Sequence, residues 1–434
     1  MAEFGVGTDA ALGAVMSGQN IFVTGPGGSG KTFTIKTIQS LYAGSVLTVA
    51  PTGVAALNVG GMTAHRAFGL SIGVSTQADV EKMKPKVKRL LKSKALKIII
   101  IDEVSMFRSD MLWEIDQKCR LARKKPNVPF GGLQVCMFGD FFQNGPVITE
   151  AERDVYYQFH ETDLCCFSDT WKELNPYPVI LEKVYRQSSV HFSTLLNCMR
   201  RGERIPDIVN FMNSHCFVDG APLDAITLTS TNALAERINK RHFDMIPGEV
   251  VEYKAERKEE FPQSPVPEKM LLKVGCRVMI TVNDPQGEDP QYVNGSRGVI
   301  VELLEDIIKI RLDETNAVVD VCKNTWENVE YFPLKVKEPN GKTRDELERV
   351  VIGSYTAFPV RLGWAVTIHK AQGLTLPEVN INFGYGAFAP GMAYVAFSRA
   401  TTAKGLRLLQ KVREKDIIVD QRVVRFYEET FPGK

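Results

Sequence analysis

The chain has 434 residues, 44% of them hydrophobic, which is enough apolar material for two to four domains with buried cores. Its 53 basic and 51 acidic residues leave a net charge of +2, so composition alone neither indicates nor excludes a basic channel for nucleic acid. The chain has no apolar window long enough to span a membrane and no signal-peptide pattern, so we expect a soluble intracellular protein. The eight cysteines lack C-x-x-C and zinc spacings, and we interpret them as reduced packing thiols.

A phosphate-binding loop is predicted near the start of the chain. Its residues, Gly25-Pro-Gly-Gly-Ser-Gly-Lys31-Thr32, follow an apolar run at Ile21–Thr24 and precede a helical pattern over 33–41. Glycines let backbone N–H groups turn toward a nucleotide's β-phosphate, and the positive end of the next helix favours the same phosphates. We predict that Lys31 reaches the β- and γ-phosphates and that the Thr32 hydroxyl coordinates Mg²⁺. The residues of this nucleotide-binding loop are Gly25, Gly27, Gly28, Ser29, Gly30, Lys31 and Thr32.

The first half of the chain alternates between strand and helix patterns. Strands are predicted at 45–50, 96–101 and 133–138, and helices at 54–58 and 109–123. A second alternation follows, with strands at 179–181 and 226–229 and with helices at 190–201, from Pro206, and at 234–244. This order predicts an α/β fold with parallel sheets covered by helices.

The pattern changes between about residues 248 and 354. Short strand candidates appear there at 277–282, 298–303, 307–312 and 318–321, and they are separated by turns such as Asn294-Gly295 and Pro339-Asn-Gly. We predict a small β-barrel inserted into the second α/β domain, whose pattern resumes at Trp364.

An acidic pair completes the predicted nucleotide site. Asp102 and Glu103 end an apolar run, Ile98–Ile101, and carboxylates in this place hold Mg²⁺ and activate the attacking water of a P-loop ATPase. We assign the first role to Asp102 and the second to Glu103. GTPases are disfavoured because the sequence has no N-K-x-D motif, and nucleotide kinases because they are much shorter.

Several blocks resemble the PIF family of superfamily 1 helicases, the RecD- and Dda-like branch. Between about residues 19 and 409 they follow the family's order and spacing, which makes the set specific although any one block is weak. The blocks are Asp102-Glu103-Val-Ser105-Met106, Pro129-Phe130-Gly131-Gly132-Leu-Gln134, Gly139-Asp140-Phe-Phe-Gln143, Val184-Tyr185-Arg186-Gln187, Tyr292-Val-Asn294-Gly295-Ser-Arg-Gly298, Trp364-Ala-Val-Thr367-Ile-His369-Lys370-Ala-Gln372-Gly373-Leu-Thr375 and Tyr394-Val-Ala-Phe-Ser398-Arg399-Ala.

The resemblance implies two RecA-like domains with parallel sheets, a small wedge element and an SH3-like β-barrel insert. The expected bounds are 1–178 for the first domain, with the wedge at about 66–95. The second domain would take 179–248 and 355–434, and the insert 249–354.

The resemblance also implies roles in ATP hydrolysis. Gln143 would sense the γ-phosphate, and Arg186 and Arg399 would neutralise charge that builds on it, although an arginine standing alone is more simply explained as a surface or salt-bridge residue. Gln372 and Gly373 would contact the nucleotide and report its state. One departure is that the family's Leu-Pro-Pro-Val after the glutamine is replaced by Asn144-Gly145-Pro146-Val147, a more flexible turn.

The DNA contacts implied by the resemblance are spread over both domains. Those of the first domain are Pro51, Thr52, Thr63 and His65, and those of the second are Asn232, Thr367 and His369. His65 could instead be a structural donor, and Phe68 could stack on a base but is more simply explained as a core residue.

These expectations together predict a 5′-to-3′ ATP-dependent DNA helicase, monomeric in solution, that acts on single-stranded DNA and on forked or 5′-tailed duplex. A single-strand translocase that displaces proteins, or a nucleic-acid-binding ATPase without unwinding activity, remains an alternative. The sequence also contains a basic run, which could form either a solvated helix face or a surface that contacts phosphates. It consists of Lys82, Lys84, Lys86, Lys88, Arg89, Lys92, Lys94 and Lys97.

Overall fold

The computed structural model describes residues 5–70, 73–184, 186–187, 189–217, 224–259, 261, 264–285, 290–337 and 343–433. It divides into two compact units. Unit 1 comprises Met1–Tyr185, Val329–Ile352 and Gln421–Lys434, and unit 2 comprises Arg186–Asn328 and Gly353–Asp420. Tyr185 and the predicted turn at 339–341 lie outside the described residues.

Unit 1 is built on a parallel sheet. Its strands are β1 (Ile21–Thr24), β2 (Val46–Ala50), β3 (Met62–Thr63), β4 (Ile98–Ile101), β5 (Gln134–Phe138) and β6 (Tyr177–Ile180). They lie in the order β3-β2-β4-β5-β1-β6, and every pairing between neighbours is parallel. All four isoleucines of β4 are buried, as expected for a central strand covered by helices on both faces.

The helices of unit 1 up to residue 184 connect and cover these strands. They are α1 (Val6–Met16), α2 (Lys31–Leu41), α3 (Gly53–Asn58), α4 (Ala64–Phe68), α5 (Gln77–Glu81), α6 (Pro85–Lys92), α7 (Ser109–Arg123), α8 (Glu150–Phe159) and α9 (Asp169–Leu174), with 3-10 turns at Val104–Met106, Pro129–Gly132 and Cys165–Phe167. One core cluster joins α1 and α2 to the sheet through residues such as Val15, Ile35 and Phe138. Helix α7 has the bounds predicted from its amphipathic pattern.

Unit 2 begins with helices and a second parallel sheet. Its helices are α10 (Val190–Arg201), α11 (Ile205–His215), α12 (Asn232–Met245) and α13 (Met392–Phe397), with a 3-10 turn at Glu414–Asp416. The parallel sheet contains β7 (Ile226–Thr229) and three strands numbered below. Helices α10, α11 and α13 share a buried core with this sheet, which includes Met199, Ile381 and Val395.

The remaining strands come from the β-rich part of the chain and from the segment that follows it. They are β8 (Val251–Lys254), β9 (Glu256–Glu259), β10 (Lys269–Leu272), β11 (Arg277–Ile280), β12 (Arg297–Leu303), β13 (Ile307–Leu312), β14 (Val318–Cys322), β15 (Asn324–Lys337), β16 (Thr343–Ala357), β17 (Val360–Leu362), β18 (Ala365–Thr367), β19 (Val379–Asn382) and β20 (Leu406–Leu408). The parallel sheet has the order β18-β7-β19-β20, and a five-stranded antiparallel sheet has the order β14-β13-β12-β11-β17. The strands predicted for the insert therefore form an antiparallel sheet, and its SH3-like character stays a prediction.

Three segments differ from the predicted domain bounds. The strand predicted at 179–181 was expected in the second domain, but β6 spans the predicted boundary and pairs with β1 in the first sheet. An apolar run has no local signal for which sheet it joins. The last helix, α14 (Gln421–Thr430), and the segment Val329–Ile352 also belong to unit 1. The remaining domain bounds stay predictions.

The basic run lies on an exposed surface of unit 1. All eight side chains are exposed, and α6 buries its apolar face through Val87, Leu90 and Leu91. Two members have partners on β15, since Lys86 pairs with Glu330 and the charges of Lys86 and Arg89 lie 5.0 and 5.4 Å from the ring centre of Phe332. A solvated face with a local structural contact accounts for these two residues.

The eight cysteines are free thiols, and six of them are buried. No helix in the described part of the chain has the length and hydrophobicity that a membrane crossing needs.

Candidate functional site

The P-loop connects β1 to α2 in the conformation that its glycines allow. Gly28 and Gly30 have φ values of 84° and 96°, in the left-handed region that strains other residues, and Gly30 is the N-cap of α2. The Lys31 ammonium group donates to the carbonyl oxygens of Gly25 and Pro26 at 2.7 and 3.2 Å. Its charge is therefore held over the loop, while Thr32 is exposed at the start of α2.

The acidic pair lies at the carboxyl end of β4. Asp102 is 9% exposed, and burial raises the pKa of its carboxyl to about 7, with a further contribution from the negative charge of Glu103 and an opposing one from Lys31. Glu103 has a φ of 50°, a left-handed conformation that costs energy in a residue with a side chain and is found preferentially at functional sites. A nearby cation would stabilise the ionised form of the buried Asp102 carboxyl.

The predicted γ-phosphate sensor follows β5. Gly139 passes so close to the turn after Glu103 that a Cβ there would lie 2.9 Å from the Val104 nitrogen. The chain then turns, and the Gln143 side chain, 5% exposed, donates from Nε2 to Asp140 Oδ2 at 3.1 Å. Gln143 therefore has a defined orientation in the first unit.

Strand order brings these three segments together. Strands β4, β5 and β1 are neighbours, so the acidic pair, the Gln143 turn and the P-loop follow the carboxyl ends of adjacent parallel strands. That edge is where ligands of open α/β sheets bind.

The residues at this edge fit a nucleotide with a divalent cation. The Ser29 hydroxyl in the loop is buried and has no hydrogen-bond partner within the described residues, which suits a group that contacts a bound phosphate. The raised pKa of Asp102 at the end of β4, and the exposed Thr32 hydroxyl that follows the P-loop at the same end of the sheet, suit an oxygen-liganded cation such as Mg²⁺.

The predicted arginine fingers lie together in unit 2 and are engaged there. Arg186 donates to Thr375 Oγ1, to the Gly373 carbonyl and to the Ser398 carbonyl at 2.9, 3.1 and 3.5 Å. Gln372, beside Gly373, is half-buried.

Arg399 is more deeply enclosed than Arg186. It is 1% exposed, and it donates to the carbonyls of Val395 and Leu374 and to Ser398 Oγ at 2.9, 3.4 and 2.9 Å. The finger role of both arginines stays a prediction, and Arg399 also has a structural role in its own unit.

The DNA candidates of unit 1 cluster around α3 and α4. Pro51 is half-buried, and Thr52 caps α3 by accepting a hydrogen bond from Ala55 N at 3.2 Å. Thr63 is the N-cap of α4 without a side-chain cap bond. Burial, and then the charge of Arg108, lower the pKa of His65, so this imidazole is neutral at pH 7 and interacts as a hydrogen-bonding group.

Phe68, the possible base-stacking residue of the same helix, is 0% exposed. It is a core side chain.

The DNA candidates of unit 2 differ in exposure. Asn232, at the start of α12, and His369 are exposed. Thr367 ends β18, is 5% exposed, and accepts a hydrogen bond from Lys370 N at 3.4 Å. Thr367 therefore supports the turn that carries His369.

The sequence analysis missed Tyr427 of α14. Its hydroxyl lies 2.5 Å from Thr24 Oγ1, immediately before the P-loop, and 3.3 Å from Asp140 Oδ1. The apolar spacing of Val423, Phe426 and Tyr427 indicates a helix face, but nothing local indicates what that face contacts.

A P-loop, an acidic pair and a polar sensor at the edge of a parallel sheet define a P-loop nucleoside triphosphatase. The chain belongs to the PIF1-like helicase family, whose sequence profile matches residues 8–207. It is 32% identical over 430 residues to the ATP-dependent DNA helicase Pif1 of Bdellovibrio bacteriovorus, covering 97% of this chain and 90% of that protein. It is 32% identical over 434 residues to human ATP-dependent DNA helicase PIF1, covering 96% of this chain but 62% of that protein.

Solved structures of Bacteroides sp Pif1 are similar along the whole chain. The unliganded form has a TM-score of 0.87 at 31% identity and covers 100% of this chain and 98% of its own. The form bound to single-stranded DNA has a TM-score of 0.69 at 32% identity and covers 99% and 97%.

Proposed function

We propose that this protein is an ATP-dependent DNA helicase that moves 5′ to 3′ along single-stranded DNA and unwinds duplex. The observation that supports this most directly is the convergence of the P-loop, Asp102–Glu103 and Gln143 at one sheet edge in a chain of the PIF1-like helicase family. The two relatives named above are ATP-dependent DNA helicases, and their similarity extends over almost the full length of this chain.

Hydrolysis would be divided among residues of unit 1. Lys31 binds the β- and γ-phosphates, and the loop N–H groups hold them in place. Thr32 and Asp102 would hold Mg²⁺, whose charge offsets that of the phosphates. Glu103 accepts the proton of the attacking water, and Gln143 orients that water.

Arg186 and Arg399 are proposed to neutralise charge that develops on the γ-phosphoryl group. Such arginines raise turnover by roughly 10³- to 10⁵-fold in other P-loop enzymes. Gly373 lies next to Arg186 in unit 2, since Arg186 donates to its carbonyl. Gln372 and Gly373 are proposed to respond to the phosphate state together with the arginines.

The single strand is proposed to contact α3–α4 residues in unit 1 and His369 and Asn232 in unit 2. Neutral His65 and the cap hydroxyls of Thr52 and Thr63 suit hydrogen bonds to phosphate oxygens rather than charge pairing. Neutral hydrogen-bond donors release no counterions, so a decrease of binding with increasing salt would report lysine and arginine contacts elsewhere on the strand's path.

Two assays test the proposal. Turnover of ATP is measured with and without a short oligo-dT, and strand displacement is measured on two duplexes that carry the same tail at the 5′ or the 3′ end. We expect stimulation by oligo-dT and unwinding of the 5′-tailed substrate. Stimulation without displacement would identify a translocase, absence of stimulation would identify a regulatory ATPase, and preference for the 3′ tail would overturn the direction.

The oligomeric state is proposed to be monomeric in solution. Sedimentation of the protein with and without a forked duplex tests this, and a stable dimer without DNA would contradict it.

A further inference from the structure

Helix α14 returns to unit 1 at the end of the chain and packs on the sheet edge that carries the nucleotide residues. Phe426 lies 5.6 Å from Phe141, 6.0 Å from Phe22 and 5.9 Å from Trp171 between ring centres. The neighbouring Tyr427 lies 4.4 Å from Phe142. Aromatic contacts of this kind fix the helix and the Gln143 turn relative to each other.

The Tyr427 hydroxyl is hydrogen-bonded to Thr24, Phe141 and Asp140. It donates to Asp140 Oδ1 at 3.3 Å, and it accepts from the Phe141 N–H at 3.3 Å. The Thr24 hydroxyl lies 2.5 Å from the same oxygen and donates to it when the tyrosine proton is directed to Asp140. One oxygen atom therefore connects the last residue before the P-loop with the turn after β5.

Asp140 extends this connection to the sensor. Its Oδ1 accepts from Tyr427 and from the Phe142 N–H at 3.2 Å, while its Oδ2 accepts from Gln143 Nε2 at 3.1 Å. The Gln143 amide points its NH₂ group toward Asp140, since Nε2 is the donor of this bond. The amide oxygen, a hydrogen-bond acceptor, then faces the other way, which is the orientation that a water-orienting glutamine needs.

We propose that Tyr427 is a positioning residue for ATP hydrolysis, acting through Asp140 on the orientation of Gln143. The inference rests on the function proposed above and deepens it, because it makes the last helix of the chain part of the hydrolytic site. Tyr427 touches neither nucleotide nor water in this role. Its loss should therefore change the rate of the chemical step and leave nucleotide affinity intact.

The test is Tyr427→Phe, which keeps the ring and its packing and removes only the hydroxyl. We expect kcat for DNA-stimulated ATP hydrolysis to fall about three- to tenfold, as for loss of one orienting hydrogen bond, with KM for ATP within twofold of wild type. The matched control is Tyr177→Phe, which removes the hydroxyl of a tyrosine that is 49% exposed on β6, and should leave both constants unchanged.

A second variant approaches the same link from the other side. Asp140→Asn replaces a carboxylate by an amide that can either donate to Gln143 or accept from it, so the glutamine amide can flip. We expect kcat to fall at least as far as in Tyr427→Phe. If both act on one orientation, the double variant should be no slower than Asp140→Asn alone. Additive losses would contradict the connection.

The outcomes separate this inference from the proposed function. Wild-type protein without DNA-stimulated hydrolysis would overturn the function itself. Stimulated wild-type protein with an unchanged kcat in Tyr427→Phe would overturn the positioning role alone, and so would a lower melting temperature accompanied by normal kcat, because that is the result of a purely structural hydroxyl.

Discussion

The two units present their candidate catalytic residues in different ways. In unit 1 the P-loop, Asp102, Glu103 and Gln143 all lie at one sheet edge, and a buried serine hydroxyl in the loop has no partner within the described residues. In unit 2 the guanidinium groups of Arg186 and Arg399 donate to carbonyls and hydroxyls of their own unit. Unit 1 thus has the features of a prepared binding site, whereas the arginines of unit 2 are held by internal partners.

The difference shows which functional residues a local sequence determines. A loop between a strand and a helix fixes where its glycines and lysine lie, so the role of Lys31 follows from its own segment. The role of an arginine depends on the groups that it contacts in the folded protein. Its local sequence determines only that an arginine is present there. Arg399 could be recognised by resemblance, but its burial at 1% exposure was not predictable from its motif.

Removing the lysine of the P-loop should have the largest effect. Lys31→Ala takes away the charge that lies over the loop carbonyls, and we expect no measurable ATP turnover in a protein with normal thermal unfolding. Lys36→Ala, at an exposed position of the same helix, is the control and should retain activity. Wild-type turnover in a folded Lys31→Ala protein would reject the nucleotide site in unit 1.

The arginines should show the contrast between units directly. Arg186→Ala and Arg399→Ala should each lower kcat by roughly 10³-fold if both act on transition-state charge, with smaller changes in nucleotide affinity. Arg399→Ala should also lower the melting temperature, because it removes a buried side chain and its hydrogen bonds to the Val395 and Leu374 carbonyls, whereas Arg186→Ala should do so less.

Turnover and unfolding curves of the same preparations distinguish these effects. A loss of stability in Arg399→Ala with kcat per folded molecule within threefold of wild type would make this residue structural only.

Glu103→Gln should have a somewhat smaller effect than the arginine variants. Loss of a general base costs about 10²- to 10⁴-fold in rate, and we expect the lower part of this range because Gln143 still orients the water. The substitution also removes a negative charge that raises the pKa of Asp102, so Asp102 is more fully ionised at pH 7 and cation-dependent nucleotide binding should persist. Equilibrium binding of a non-hydrolysable ATP analogue measures this, and parallel loss of binding and turnover would contradict the division of roles.

Sequence patterns predicted local elements well and long-range partners poorly. Helix α7 and strand β13 have their predicted bounds because their apolar spacing reports the face that they bury. The long strand β15 was not predicted, since Pro333 in its middle argues against a strand. The contacts of Tyr427 and of β6 were missed because a helix or strand pattern indicates that a face is buried and does not indicate by which part of the chain.

The smallest predicted effect concerns the basic run, whose members also divide between engaged and solvent-facing side chains. Lys86 and Arg89 contact Glu330 and Phe332, whereas Lys88 and Lys92 are exposed on the same helix. We expect Lys86→Gln/Arg89→Gln to lower the free energy of unfolding by about 1 kcal/mol, the usual size of an exposed ion pair with a cation–π contact. Lys88→Gln/Lys92→Gln removes the same charge without these partners and should leave stability unchanged.

Salt dependence of single-strand binding shows whether the exposed pair does more. Each phosphate contact contributes about 0.7 to the slope of log affinity against log salt, so two lost contacts would reduce the slope by about 1.4. We expect both double variants to keep the wild-type slope. This result would assign Lys88 and Lys92 to a solvated face, and Lys86 and Arg89 to the contact with β15. A reduced slope in Lys88→Gln/Lys92→Gln alone would instead place DNA phosphates on α6. A change in net charge could not explain that result, because Lys86→Gln/Arg89→Gln removes the same two positive charges.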